Sequence, residues 1–285
     1  MKLDFICVGM YRAGTTWLHT LLQKHPQIVF PYEKETMFFS HHYHRGIEWY
    51  ENFFQDYGPD SLVGEICPTY LTRPFVSGRI ANEFPDVKIL IILREPIGQI
   101  KSLYNLWRIR GYTDLSINEA LLKKEELLNN VMYYQHIKRY LDHFANENVL
   151  IYFYDDLVEN PEKFLFNICK MLHLDFAMIE KEDFNKRVNS VNKTTHPVIE
   201  WSVAQIGDFM RRHNLYKIKN FIANTGIVDL LKSAPSKKQL NVSKTLTKDS
   251  RNLICERVLP EIEKIQDLVK KDLSNWVFLL KNEER

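Results

Sequence analysis

The 285-residue sequence predicts an α/β fold of three layers, with a central, mostly parallel sheet flanked by helices. Three observations predict it. Short apolar runs of strand length recur at 3–8, 88–93 and 149–154, without the alternation of a half-exposed strand. Segments of helical period fall between them. A glycine-framed turn joins the first run directly to the first helix, as a βα unit requires.

Taken in order, residues 3–8 read as a buried strand and 9–14 as a turn. Thr15 opens a helix with apolar positions at Trp17, Leu18, Leu21 and Leu22, which stops before Pro26. A short helix with an aromatic face is expected at 46–54, a strand at 62–65, and a helix at 75–84 ended by Pro85. The run 88–93 is the clearest buried strand, and Pro96 suits the first turn of a helix running towards Arg110. Helical period returns at 133–144. A strand follows at 149–154, and Pro161 opens a helix to about residue 172. Residues 183–200 are polar and lack period, so they read as a loop. The Lys- and Ser-rich stretch 232–248 reads as a surface loop. Leu253, Val258, Ile262, Ile265 and Leu268 mark a final helix, with Trp276 docking after it. No repeat, low-complexity tract or interdomain linker interrupts the chain, so 1–285 reads as one domain.

Composition narrows the function. A hydrophobic fraction of 45% and a charged fraction of 26% are those of a globular protein able to bury a sizeable core. Net charge is only +2, so there is no global basic field for nucleic acid, and any anion site must be local. The four cysteines are far apart without a CxxC pair, which argues against zinc, and nothing in their spacing requires a disulfide. The N-terminus lacks the pattern of a signal peptide, and the longest apolar run is far too short to span a bilayer. A cytoplasmic protein without stable membrane insertion is expected.

Three motifs carry chemistry. Residues 9–16, GMYRAGTT, have the frame GxxxxG followed by two hydroxyl residues, between a strand and a helix. Backbone amides there form an anion cradle, and the glycines permit the tight turn. A nucleoside-triphosphate loop of this frame has a lysine where this chain has Thr15; the cation here is Arg12, inside the loop. The competing possibility is a plain turn with an exposed arginine. Second, Arg94 directly follows the strand 88–93 and Ser102 lies eight residues later on the next helix. Ligands of open α/β sheets bind at that strand end, where an arginine offers a forked donor to a phosphate. The alternative is an arginine paired with Glu95 or Glu65 and a serine on a solvated face. Third, Glu35 precedes Phe38 and Phe39, which would desolvate it and suit it to accept a proton. Alone, it reads first as a solvated loop carboxylate.

Together and in this order, the motifs resemble the sulfotransferases that use 3'-phosphoadenosine 5'-phosphosulfate (PAPS), above all the Golgi heparan sulfate enzymes and their bacterial relatives. The GxxxxGTT turn looks like the family's 5'-phosphosulfate loop, and 93–102 like its 3'-phosphate motif. Residues 34–39, KETMFF, resemble the segment that carries its catalytic base. The stretches 43–50, 64–70, 133–140, 149–157 and 271–276 are also similar to family segments, so the resemblance covers nearly the whole chain. It implies a P-loop-like fold and PAPS as co-substrate, without a metal. PAPS would lie on Arg12, Ala13, Gly14, Thr15, Thr16 and Trp17 at its 5' end and on Arg94 and Ser102 at its 3' end. Glu35 would be the base and Arg12 the cation at the leaving oxygen, with Lys193 in a loop at 187–196 that closes over the nucleotide. Two departures stand out: Arg12 replaces the lysine of the glycan enzymes, and Ile66 replaces a lysine often close to acceptor or base. The acceptor implied is a small molecule or glycan hydroxyl or amine, with lipid, polyketide and protein tyrosine open. The rivals are a P-loop kinase of small metabolites, which would need a lysine at Thr15 and a magnesium carboxylate, and a nucleotide-binding module without chemistry.

Overall fold

The computed structural model describes residues 1–54, 57–180 and 245–282. Five strands form one parallel sheet: β1 (Phe5–Gly9), β2 (Ile28–Val29), β3 (Leu62–Ile66), β4 (Lys88–Leu93) and β5 (Val149–Phe153), in the order β2-β3-β1-β4-β5. The apolar runs that predicted β1 and β4 are apolar because both sheet faces are covered. Every residue of β1 is buried, as are 89–93 of β4. Burying each such Ile or Leu contributes about 1.5–3 kcal/mol. The order reverses at β1, with β2 and β3 on one side and β4 and β5 on the other. That is a topological switch point, and the crevice beyond the carboxyl ends of β1 and β4 is where such sheets take ligands.

The helices that follow the strands place the site. Helix α1 (Thr15–Leu22) leaves the turn after β1, and Trp17, Leu18, Leu21 and Leu22 are buried, as their spacing predicts. Helices α2 (Ile47–Glu51) and α3 (Val76–Glu83) are shorter than the expected 46–54 and 75–84. Helix α4 (Pro96–Ile109) starts with Pro96 at its first position and is capped by Glu95, whose carboxylate accepts from the amides of Ile97 and Gly98, both at 2.6 Å. Helices α5 (Ile117–Lys123), α6 (Glu125–Asn129) and α7 (Tyr133–Leu141) follow. The expected strand 149–154 ends one residue early, because Tyr154 begins α8 (Tyr154–Glu159), a helix the apolar pattern hid. Helix α9 (Pro161–Met171) matches the expected span to within a residue. The helix expected last is α10 (Lys248–Val269), which buries Ile254, Val258, Ile262 and Ile265 but leaves Leu268 exposed, and Trp276 is buried within a further helix that follows it, α11 (Ser274–Lys281). The loop expected at 183–200 and most of that at 232–248 lie outside the described residues.

All four thiols are free. Among the described residues no helix is long and apolar enough to cross a membrane.

Candidate active site

The turn between β1 and α1 is shaped by its glycines. Gly14 has φ +85°, and a Cβ there would stand 2.5 Å from Leu157 Cδ2 of α8. Gly9 lets Leu71 approach, since a Cβ would meet Leu71 Cβ at 2.7 Å. Helix geometry leaves the amides of Thr15, Thr16 and Trp17 without intrahelical acceptors, and the first turn of α1 carries no acidic residue. Ala13 and Trp17 have buried side chains, with Trp17 edge-on to Phe164, so each can offer a ligand little but its amide. Arg12 is itself left-handed, at φ 70°, a conformation that costs a non-glycine residue about 1–2 kcal/mol.

Arg12 ties the predicted residues together. Its Nε donates to Ser102 Oγ at 3.1 Å, and its carbonyl accepts from Arg94 Nη1 at 3.0 Å. Arg94 lies over the Tyr154 ring at 4.8 Å, and its own carbonyl accepts from the Tyr133 hydroxyl at 2.7 Å. Gln99 braces the turn by donating to the Tyr11 carbonyl at 2.6 Å. The alternative partners of Arg94 are otherwise committed: Glu95 caps α4, and Glu65 is engaged in the core. Burial lowers the Arg12 pKa; the charge of Tyr11 opposes this, and those of Arg94 and Arg110 add to it. A guanidinium stays protonated regardless, so the meaning is local: three like charges converge here, and an anion relieves their repulsion.

The loop after β2 brings a second group. Lys34 Nζ donates to Thr16 Oγ1 at 3.3 Å and to Glu35 Oε1 at 3.1 Å, so one ammonium joins the start of α1 to the Glu35 carboxylate. The Glu35 side chain keeps 22% exposure. Phe38 and Phe39 turn into an aromatic cluster, with Phe38 stacked on Tyr50 at 4.7 Å and Phe39 edge-on to Tyr70 at 5.7 Å. The neighbour that defines Glu35 is thus a cation, where the sequence pointed to an apolar wall. Beneath the loop, Glu65 is fully buried, and burial pushes its carboxyl up to about 7 against the opposing pull of Thr36 and Tyr50.

Arg12, Ala13, Gly14, Thr15, Thr16, Trp17, Arg94, Ser102 and Glu35 therefore all meet at the carboxyl edge of the sheet, around the β1/β4 switch point. Lys193 lies outside the described residues. Sequence reasoning missed Lys34 as a site residue, although it adjoins Glu35, and missed Arg110, which hydrogen-bonds the Tyr11 hydroxyl. It also missed Tyr154, whose ring lies beneath Arg94 and beside Gly14. Ile66, where the family lysine was expected, is a buried strand residue paired with Cys7. No group of three or more His, Cys, Asp or Glu among the described residues is arranged to hold a metal.

Known proteins similar to this chain point to one family. Residues 2–225 match the family model of the sulfotransferase domain. The chain is 36% identical over 105 residues to "Membrane-associated sulfotransferase kil1" of Dictyostelium discoideum, covering 36% of this chain and 22% of that protein. It is 29% identical over 190 residues to the human "Bifunctional heparan sulfate N-deacetylase/N-sulfotransferase 2", covering 59% and 22%. It is 25% identical over 243 residues to the human "Heparan sulfate glucosamine 3-O-sulfotransferase 3B1", covering 74% and 61%. The match thus spans about a fifth of the first two relatives' length. Among solved structures, a sulfotransferase from Alicyclobacillus acidocaldarius superposes with a TM-score of 0.68 at 21% identity, over 97% of this chain and 99% of that one, which speaks for the fold.

Proposed function

Because the chain belongs to the sulfotransferase domain family, we propose that it moves a sulfuryl group from PAPS to a hydroxyl or amine acceptor. The observation that carries this is the junction at Arg12, which links the turn after β1 to Ser102 and Arg94 while Lys34 links Thr16 to Glu35. Such an arrangement suits a nucleotide anionic at both ends and a proton acceptor beside one of them. The residues present fit that donor: Gly14 makes a left-handed turn at the start of α1, where helix geometry leaves the first amides without intrahelical acceptors, and the cations Arg12 and Lys34 stand beside it. We assign the 5' end to Arg12, Thr15, Thr16 and the amides of Ala13, Gly14 and Trp17, and the 3'-phosphate to Arg94 and Ser102.

In this scheme Glu35 takes the acceptor's proton as the acceptor oxygen or nitrogen bonds to sulfur and the bond from sulfur to the bridging oxygen breaks. Arg12 and Lys34 meet the charge left on that oxygen. Lys34 thereby supplies the cation that a nucleoside-triphosphate loop carries at the Thr15 position, and that position 66, an isoleucine, does not. The two heparan sulfate relatives favour a carbohydrate acceptor.

The experiment compares binding of PAPS, 3'-phosphoadenosine 5'-phosphate, adenosine 5'-phosphate and ATP with and without magnesium, then screens acceptors with labelled PAPS. The 3'-phosphorylated nucleotides should bind more tightly than adenosine 5'-phosphate. Glu35→Gln should bind nucleotide normally and lose turnover by about 10²–10⁴-fold. Wild-type turnover in that variant removes Glu35 as base, and magnesium-dependent preference for ATP replaces the whole assignment with a kinase.

A further inference from the structure

The loop that carries Glu35 has an unusual backbone. Glu35 (φ 64°) and Met37 (φ 54°) are both left-handed, and between them stands Thr36, 2% exposed. Non-glycine residues hold such angles only where their surroundings over-determine them. Here one buried side chain sits at the centre of those surroundings. Glu65, in β3 and 0% exposed, accepts from the Thr36 amide at 3.1 Å and the Thr36 hydroxyl at 2.6 Å, both on Oε1. Its other oxygen accepts from the Tyr50 hydroxyl at 2.9 Å, and Tyr70 reaches Oε1 at 3.3 Å. The same hydroxyls then hold the chain onward: Thr36 Oγ1 accepts from the Phe38 amide at 3.2 Å, and the Tyr70 oxygen from the Phe39 amide at 3.3 Å. A carboxylate buried 29 residues away in sequence thus fixes the backbone of the residue next to Glu35 through both of its donors.

A strand anchor is an economical way to aim a loop side chain. The strand cannot move without breaking the sheet, and β3 pairs with β1, which ends in the phosphate-loop turn. Glu65 therefore ties the position of Glu35 to that of the anion cradle. We propose that Glu65, acting through Thr36, is a positioning residue that holds Glu35 in its left-handed turn facing the cradle. The idea rests on Glu35 being the base. It assigns Glu65 and Thr36 no contact with donor or acceptor, and it makes kcat sensitive to both residues while nucleotide affinity is not.

The test uses Thr36→Val, which removes the hydroxyl; Thr36→Ser, which keeps it; and Glu65→Gln, which keeps the shape. The readouts are the affinity for 3'-phosphoadenosine 5'-phosphate and its rate of release from PAPS. The acceptor is a de-N-sulfated heparin oligosaccharide, or water where that oligosaccharide is not used. Thr36→Val should lower kcat about 10–100-fold, the scale of an ångström of misplacement, with nucleotide affinity within twofold of wild type. Thr36→Ser should restore it, and Glu65→Gln should fall between the two. In a Glu35→Gln background Thr36→Val should cost nothing further, since residues that act through one group are not additive. A crystal structure of Thr36→Val should show Glu35 out of its left-handed angle; one that keeps φ near 64° overturns the proposal whatever the acceptor. Folded Glu65→Gln with wild-type kcat overturns it too, even should Thr36→Val not fold. Wild-type turnover in Glu35→Gln instead sinks the assignment of the base, and Glu65 then has nothing to position.

Discussion

Replacing Gly14 by alanine tests whether the phosphate loop is held open by the absence of one carbon. At φ +85° an alanine is left-handed, which costs about 1–2 kcal/mol. Its Cβ would also stand 2.5 Å from Leu157 Cδ2, and Leu157 is 6% exposed, so the methyl group has little room to retreat. Overpacking of that kind costs about 1–3 kcal/mol. The sum is about 2–5 kcal/mol, and the two parts are separable. Leu157→Ala alone leaves a cavity, at about 2–5 kcal/mol. In the double variant the added methyl fills part of that cavity, so the crowding term vanishes while the backbone term stays. The double-mutant cycle should therefore return about 1–3 kcal/mol of favourable coupling. Urea midpoints at unchanged slope measure stability, and titration with 3'-phosphoadenosine 5'-phosphate measures the cradle. The single Gly14→Ala variant should bind at least tenfold more weakly, because its strain is relieved by moving the amides the nucleotide needs. Additivity within 0.3–0.5 kcal/mol would refute the contact with α8, and unchanged affinity would refute the cradle.

Three further outcomes follow from the same geometry. Arg94→Ala should weaken 3'-phosphoadenosine 5'-phosphate by about 10–100-fold, the scale of a charge-assisted hydrogen bond of about 1.5–3 kcal/mol, and adenosine 5'-phosphate little; equal weakening removes Arg94 from the 3' end. Lys34→Met should lower kcat by about 10²–10³-fold with a smaller change in nucleotide affinity, and a variant impaired only in binding would make Lys34 a mere phosphate contact. Stability should depend on pH through three groups that desolvation shifts. His19 and His136 are each held near 4, chiefly by burial, below the 6.5 of an unfolded chain, so their contributions are lost as pH falls through that window. Glu65, raised from 4.5 to about 7, has the opposite sign: its contribution is present at low pH and lost as pH rises through 7. Between about 4.5 and 6.5 unfolding then takes up a net one proton from these groups, about 1.4 kcal/mol per pH unit. Glu65→Gln should roughly double that slope in urea midpoints measured against pH, and an unchanged slope would show that Glu65 does not titrate there.

What the sequence revealed depended on whether the signal was local. Strands β1 and β4 are apolar throughout because they are covered on both faces, and the turn at 9–14 is framed by glycines that the structure requires. Strand β2 has two residues and therefore no period to read. Helix α8 follows β5 without a break, so its first residue, Tyr154, passed as the end of the strand, although Asp155 and Asp156 are the acids a helix start favours. Helix α5 was not expected from the sequence, although the S-x-x-E pattern of Ser116 and Glu119 forms a capping box at its start. Contacts between distant segments left no such trace. Glu65 and Thr36, Arg12 and Ser102, and Lys34 and Thr16 meet only because parallel strands bring their carboxyl ends to one edge.

That edge also explains why an arginine can serve where a triphosphate-binding loop keeps its lysine. A lysine at the start of α1 would reach a phosphate as a point charge on a flexible stem. Arg12 sits earlier, in the bend itself, and its fork lets Nε engage Ser102 while the terminal nitrogens stay available in other directions. The Arg12 carbonyl meanwhile accepts from Arg94, so the residue proposed for the 5' end is bonded to both residues proposed for the 3' end. A site so connected is built at a fixed span. Lys34 completes the arrangement from the other side, bringing charge to Thr16 and Glu35 where the helix start itself has none.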